Sequence, residues 1–266
     1  QVGDKGYLEE KNGTVHYIID TKKENNLIIH FTKSIPNNLK NVCKAVVDQK
    51  QRYRSSSNHT ATHLMHQALR DILGSHVEQK GSMVHSGMFR FDFSHFSKVT
   101  DDELMQVEAF VNSRIKDKLP LEETRNISYK TALDQGAIAL FGEKYGDTVR
   151  TIRFGKSIEL CGGCHVKNTS EIWYFKIISE SAIASGIRRI EAITGDAVTS
   201  FFEEQSKLLS DLKILMKQQQ DPIKVYKNLV QENNDLKKEI ISLSKLKLNE
   251  IKLDLKKNIT KQNSIN

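Results

Sequence analysis

Asn58-His59-Thr60-Ala61-Thr62-His63 places two imidazoles four positions apart, and Glu159-Leu160-Cys161-Gly162-Gly163-Cys164-His165 adds two thiols and a third imidazole in one short loop. On a helix, about 100° per residue leaves His59 and His63 roughly 40° apart on one face. The Gly-Gly pair predicts a tight backbone path between the thiols. Brought together, these side chains offer the nitrogen and sulfur donors that suit zinc. Five candidates (His59, His63, Cys161, Cys164 and His165) compete for four tetrahedral places. Four protein ligands would close the ion and argue for structure, whereas three plus water would leave it open for catalysis. Spacing alone leaves that choice open. The zincin motif needs Glu directly after the first His, and Thr60 stands there instead, so that kind of metalloprotease is disfavoured. A structural zinc knuckle would want a second Cys-rich pair rather than His-x-x-x-His.

The elements that must carry these residues can be read along the chain. Over 1–50, the β-branched and aromatic runs Thr14–Ile19, Leu27–Phe31 and Lys44–Val47 predict three short strands, separated by turns at Asn12-Gly13, Glu24-Asn25-Asn26 and Pro36-Asn37-Asn38. They form a small barrel-like or open antiparallel unit. Ser55-Ser56-Ser57-Asn58 is a helix-start signal ahead of His59–Leu73, with Gly74 as the stop. Ala61, Leu64, Met65, Ala68, Leu69 and Ile72 give that helix its apolar face, and His66 on the neighbouring stripe reads as packing or support. Phe89–Phe93 alternates as a strand, and Asp101–Lys118 is a helix with acidic residues in its first turn. A strand over Leu121–Lys130, a short helix over Thr131–Ala139 and a loop over Gly142–Gly146 follow. Val149–Phe154 and Ser157–Leu160 then form a hairpin around Gly155-Lys156 that delivers Cys161 at a strand end. Strands over Ile172–Ser179 and Ile187–Thr194, joined by a small-residue loop Ser181–Gly186, complete a mixed α+β core over 51–195.

From Asp196 the pattern is helical, broken only by Pro222. Tyr226, Leu229, Asn233, Leu236, Ile240, Leu243 and Lys247 mark a heptad seam with two polar positions. Residues 196–266 therefore read as a helical hairpin or coiled coil, pairing with Phe201–Leu215 or with a second chain as a homodimer, and fraying beyond about Asn258. Of the formal net charge of +7, the stretch from Gln205 to Asn266 carries +6, with 13 Lys against 7 Asp and Glu. A basic tail beside a near-neutral domain suits a polyanion such as RNA, and suits a solvated lysine-rich helix equally. No apolar run approaches the length of a membrane span. An odd count of three cysteines, two of them in the candidate metal loop, argues against a disulfide framework and for the cytoplasm.

Further ordered segments narrow the reading. They are Asn58–His63, Gln79-Lys80-Gly81-Ser82, Arg90-Phe91-Asp92-Phe93-Ser94-His95, Ala139-Leu140-Phe141-Gly142-Glu143-Lys144-Tyr145, Glu159–His165 and Gly186-Ile187-Arg188-Arg189-Ile190-Glu191-Ala192. The set closely resembles the editing half of a bacterial alanyl-tRNA synthetase, strongly over about residues 1–200 and loosely thereafter. Threonyl-tRNA synthetase editing domains share only the His-x-x-x-His and Cys-x-x-x-His pairs. The opening Gln-Val-Gly-Asp resembles the end of that family's Gly-Gly-Gly-Gln-x-x-Asp segment, which predicts an excised piece.

The resemblance implies a partial β-barrel over 1–50, a zinc-dependent editing core over 51–195 and the start of a C-terminal helical domain over 196–266. It implies hydrolysis of the ester of seryl- or glycyl-tRNA(Ala), with one zinc ion held by His59, His63, Cys161 and His165. Gln79 falls at the position credited with sensing the serine hydroxyl, Thr60 lines the same pocket, and Arg188 and Arg189 lie on a basic strand near the site. Arg188 and Arg189 would contact phosphate or the ester carbonyl, or form a structural salt bridge to Glu191. Cys164 stands where the family commonly has Thr, making it an alternative ligand to His165. The whole synthetase would also activate alanine with ATP, and these residues contain no motif for that step. The alternative reading is a zinc-stabilised tRNA-binding and dimerisation module without catalysis.

Overall fold

The computed structural model describes residues 1–24, 27–36, 42–139, 145–216 and 221–262, with side chains described through Lys256. The expected turns at Asn25-Asn26 and Asn37-Asn38, and residues 140–144 of the Ala139–Tyr145 segment and the overlapping Gly142–Gly146 loop, lie outside these residues.

Four strands, β1 (Gly6–Glu9), β2 (Val15–Glu24), β3 (Leu27–Thr32) and β4 (Lys44–Val47), form an antiparallel sheet in the order β3-β2-β1-β4. β1 is too short and too interrupted by Gly6 to show as a β-branched run, so only the other three strands were visible in the pattern.

The long helix α1 runs from Gln49 to Leu73, starting well before the Ser55–Asn58 signal. The reason is Asp48, whose carboxylate accepts from the Gln51 amide and caps the N-terminus. The serines instead lie within the helix, where the Ser57 hydroxyl donates to the Tyr53 carbonyl one turn back. Gly74 ends the helix as expected, with φ at 118° and its amide bonded to the Arg70 carbonyl.

β5 (Gln79–Val84), β6 (Phe89–Ser94), β10 (Phe175–Ala184) and β11 (Ile187–Thr194) make a second antiparallel sheet, ordered β10-β11-β6-β5. The small residues Ser181–Ala184, expected as loop, extend β10 because they pair with Ile187–Arg189 across the turn. The helix α2 (Asp101–Lys116) carries a complete capping box between Thr100 and Glu103. The core lies between α1, α2 and this sheet, with Phe89, Phe91 and Phe93 of β6 fully buried against Leu64, Met65 and Leu69. Each such aromatic contributes about 1.5–3 kcal/mol of transfer free energy.

The strands β7 (Glu122–Ser128), β8 (Thr148–Phe154) and β9 (Ser157–Leu160) form a third sheet, with the short helix α3 (Tyr129–Asp134) following β7. The β8–β9 hairpin turns at Gly155, whose φ of 59° favours glycine.

The residues Gln1–Phe201 and Phe202–Asn266 are two compact units. The helix α4 (Asp196–Leu215) begins in the first unit and ends in the second, and α5 (Pro222–Gln262) lies in the second, with Pro222 at its first helical position. The helix backbone continues past Asn258, where fraying was expected. No described helix is long and apolar enough to cross a membrane.

Candidate metal centre

Two elements deliver the donor atoms. α1 carries His59 and His63 on adjacent turns, and the β8–β9 hairpin ends at Leu160 so that Cys161 and His165 meet them. One ligand atom from each of His59, His63, Cys161 and His165 lies within 4.8 Å of the others. The Cys161 Sγ is 3.5 Å from His59 Nε2 and 3.3 Å from His165 Nε2. The three imidazole centroids are 4.4 to 5.1 Å apart. Cys164 is not a member of this group; its backbone amide is bound to Gln1 Oε1.

The outer nitrogens test whether these residues fit an ion. A ligating imidazole almost always gives its second nitrogen to an oxygen, which fixes the tautomer and the ring. His59 Nδ1 lies 3.0 Å from Gln1 Oε1, and His165 Nδ1 lies 3.1 Å from Thr60 Oγ1. His63 Nε2 lies 3.5 Å from Glu159 Oε2. His63 Nδ1, left for the cluster, is buried and has no hydrogen-bond partner. A buried imidazole nitrogen without a partner costs about 1–3 kcal/mol unless something binds it. Among these four residues, a bound ion would satisfy that atom and keep the thiol and three rings apart. The donor set fits zinc.

Burial sets the protonation states. It lowers His59 to about 4 and moves His63 and His165 well below the ordinary histidine value, so all three keep a free lone pair at neutral pH. It raises the Cys161 thiol to about 11, while the Gly163 amide donating to its sulfur pulls the other way.

The loop between the thiols is shaped by space. Neither Gly162 nor Gly163 has positive φ, which corrects the expectation that conformational freedom explains the pair. A Cβ at Gly163 would overlap the His59 ring, whereas one at Gly162 would meet nothing. Arg150 on β8 holds this loop from outside, its Nη1 donating to the carbonyls of Cys161 at 3.0 Å and Gly163 at 2.7 Å. Glu123 on β7 accepts from Arg150 Nε at 2.8 Å, and Arg150 and Arg125 together lower its carboxyl to about 2.

Glu159 was quoted in the sequence segment but given no role there. It is buried on β9, with Oε1 3.0 Å from His66 Nδ1 and Oε2 facing His63. It is the one carboxylate in a strand whose four residues are all buried, and that burial appears only in the fold. His66 packs on Phe91 and braces Glu159, in keeping with its expected supporting place.

The other predicted residues are placed differently. Thr60 is fully buried and accepts from the Val166 amide as well as facing His165. Gln79 opens β5, half-buried and opposite Phe93. Arg188 makes a two-point ion pair with Glu180 at 2.5 and 2.6 Å, and Arg189 makes one with Asp92 at 2.6 and 2.8 Å. These replace the expected bridge to Glu191, which instead accepts from the Ser179 hydroxyl. The physical reason is cross-strand register. Arg189 stands directly opposite Asp92 in the β6–β11 register, while Glu191 stands opposite Arg90. Among the described residues two clefts border the ligand loop, and Gln79, Arg188 and Arg189 line neither.

Residues 149–191, spanning the hairpin, the ligand loop and most of the β10–β11 pair, match the family described as threonyl and alanyl tRNA synthetase second additional domain. That fixes the class: a domain shared by these two kinds of synthetase. Over its whole length the chain is 62% identical to an alanine–tRNA ligase of Christiangramia forsetii, covering 30% of that protein. It is 56% identical to one of Flavobacterium psychrophilum and 50% identical to one of Bacteroides fragilis, with the whole chain aligned and 31% and 30% of those proteins covered. The chain belongs to the alanine–tRNA ligase family, and it spans about 30% of the length of the curated relatives it matches.

Proposed function

We propose that this chain is the ester-hydrolysing, editing part of an alanine–tRNA ligase, acting on seryl- and glycyl-tRNA(Ala). One observation carries the reading: three imidazoles and a thiol from two distant segments converge within 4.8 Å, with His63 Nδ1 buried and unpaired among them. Zinc is the ion this donor set suits, and when bound it supplies Lewis acidity toward an ester carbonyl. The protein's own part is to hold that ion's ligands. Glu159 fixes His63, Thr60 fixes His165, and Arg150 fixes the loop that carries Cys161.

A hydrolytic site is needed because an alanine pocket cannot strongly exclude the smaller glycine or reject one added hydroxyl. Gln79 is proposed to sense the serine hydroxyl, and Arg188 and Arg189 to keep β11 in place through their carboxylate partners rather than to meet substrate. The acceptor end of tRNA is the partner and the cytoplasm the place of action. These residues contain no ATP-activation motif, so the chain is expected not to charge tRNA.

The test is release of serine from seryl-tRNA(Ala) by the purified chain, with Cys161→Ala and Gln79→Ala alongside and metal content measured in each. Metal-dependent release that Cys161→Ala abolishes supports the reading; intact, metal-loaded protein that never releases serine overturns it. A non-catalytic assembly module is the second reading, favoured by the exposed apolar seam of α5 (Leu229, Leu236, Ile240 and Leu243).

A further inference from the structure

In an aminoacyl-RNA the ester sits on the 3′-terminal ribose, so the nearest phosphate lies only one ribose away from the reacting carbon. If hydrolysis occurs at the metal cluster, as proposed above, that phosphate must lodge beside the ligand loop. Two clefts border this loop, and their charges differ. One is lined by Asp4, Asp20 and Glu24 against Lys22, Lys23 and the Gln1 amino group, a balance of charge. The other, about 670 Å³ and reaching His165, is lined by Arg52, Arg125 and Arg150 against Glu123 alone. A phosphodiester meets no net attraction in the first and is attracted by the second.

We infer that this second cleft, between β7, β8 and the ligand loop, binds the 3′-terminal phosphodiester of the RNA, with Arg125 as its principal contact. Arg150 is committed to the loop carbonyls and Glu123, and Arg52 to Asp4 at 2.9 Å, although its Nε is buried without a partner. Arg125 is exposed, and Glu123 is the partner recorded for its guanidinium. When Arg125 turns to a phosphate, Glu123 keeps Arg150, so no carboxylate is left alone. A bulge in β7 between Thr124 and Ile127, with Asn126 at a φ of 57°, takes Arg125 and Asn126 out of the strand ladder beside this cleft. Arginine's planar fork matches two phosphate oxygens, and the neutral side chains of Ser56, Asn126 and Thr148 line the same walls.

The experiment titrates the full chain with an uncharged RNA minihelix bearing a single-stranded CCA end, by fluorescence anisotropy over a range of salt. A second probe carries a neutral methylphosphonate in place of the last phosphodiester. Arg125→Ala is expected to weaken binding several-fold and make the slope of log K against log salt shallower by about 1. Arg125→Lys should restore part of both. The methylphosphonate should weaken binding to wild type and change nothing further in Arg125→Ala. Metal content equal to wild type in the variants would show the cluster intact. An unchanged salt slope in Arg125→Ala, the same methylphosphonate penalty in both proteins, or no titratable binding to wild type overturns the inference. Seryl-ester hydrolysis measured on the same samples separates the two ideas. Arg125-dependent binding without hydrolysis supports the phosphate cleft and sinks only the editing reading.

Discussion

The two longest helices of the chain are inversions of one another. From Ser56 to Leu69, α1 buries polar side chains along with apolar ones, including Asn58, Thr60, Thr62, His63 and His66. In α5, Leu229, Leu236, Ile240, Leu243 and Leu253 are exposed. Burying a polar group costs free energy unless it is bonded. In α1 the bonds are made: Asn58 donates to the His85 carbonyl and accepts from the Thr194 hydroxyl, and Thr62 donates to the Asn58 carbonyl. Between Ser56 and Leu69 the described orphans that remain are imidazole nitrogens of His63 and His66. Buried polarity on α1 therefore supports the ion site proposed above, and exposed apolarity on α5 supports the proposal of a second surface to cover it. Polarity alone would have placed both helices wrongly.

The comparison is broken most directly at His63. His63→Ala is expected to take metal from one ion per chain to none by elemental analysis and to lower thermal stability. The same substitution at Leu236 of α5 should leave metal content unchanged. A His63→Ala protein that retains its full metal complement would show that α1 buries its polar face for some other reason.

Next in size is the glycine pair. Gly163→Ala forces a methyl into the His59 ring, whereas Gly162→Ala adds one to open space. The first is expected to lose at least tenfold in metal affinity, in line with displacing a ligand's support, and the second to stay within about 0.5 kcal/mol of wild type in folding stability. Competition against a chromophoric chelator measures the affinities. Equal losses at both positions would mean that the loop matters through its backbone rather than through its contact with His59.

The supporting carboxylate comes third. Glu159→Gln keeps shape and hydrogen-bonding reach but removes the charge facing His63 and His66. Metal affinity should fall about 10- to 100-fold. With cobalt in place of zinc, the visible spectrum should shift while the ligand count holds. An unchanged spectrum and affinity would assign Glu159 to packing alone.

These three sites differ in how far the sequence disclosed them. That the helix histidines and the Cys161–His165 loop would come together was legible because their spacing within each segment is itself the signal, and because the hairpin around Gly155 announced where Cys161 would emerge. The choice among five donors was not legible, since it depends on which way Cys164 faces after the Gly163 contact. Glu159 and Arg150 act across pairings between distant strands, and their roles exist only once β8, β9 and α1 are assembled. The same limit explains the guanidinium partners of β11. Counting along the chain suggested Glu191, but strand register hands Arg189 to Asp92, nearly a hundred positions earlier. The α1 start was misread because Ser55–Asn58 resemble a cap, while Asp48 does the capping. In the fold, strands with β-branched runs were found and those built on Gly6 or on Gln79-Lys80-Gly81 were not.

The smallest effect on the folded unit, and the sharpest test of the outward-facing half of the comparison, lies on the seam itself. Leu236→Lys and Ile240→Lys each replace an exposed apolar side chain on α5, so neither removes buried contacts within the chain. Exposed positions of this kind shift folding stability by no more than about 0.5 kcal/mol, and denaturant unfolding of the core should be indistinguishable from wild type. If the seam is a coiled-coil face, its aligned Leu and Ile need a second helix, while Asn233 and Lys247 restrict the register in which one fits. Sedimentation over rising protein concentration should then show wild type associating and both variants remaining monomeric. Monomeric wild type throughout that range would remove the homodimer and leave the exposed seam to be covered by a different surface. The metal site would be untouched by that result, because Asp48, Asn58 and Glu159, which organise α1, all belong to the unit Gln1–Phe201.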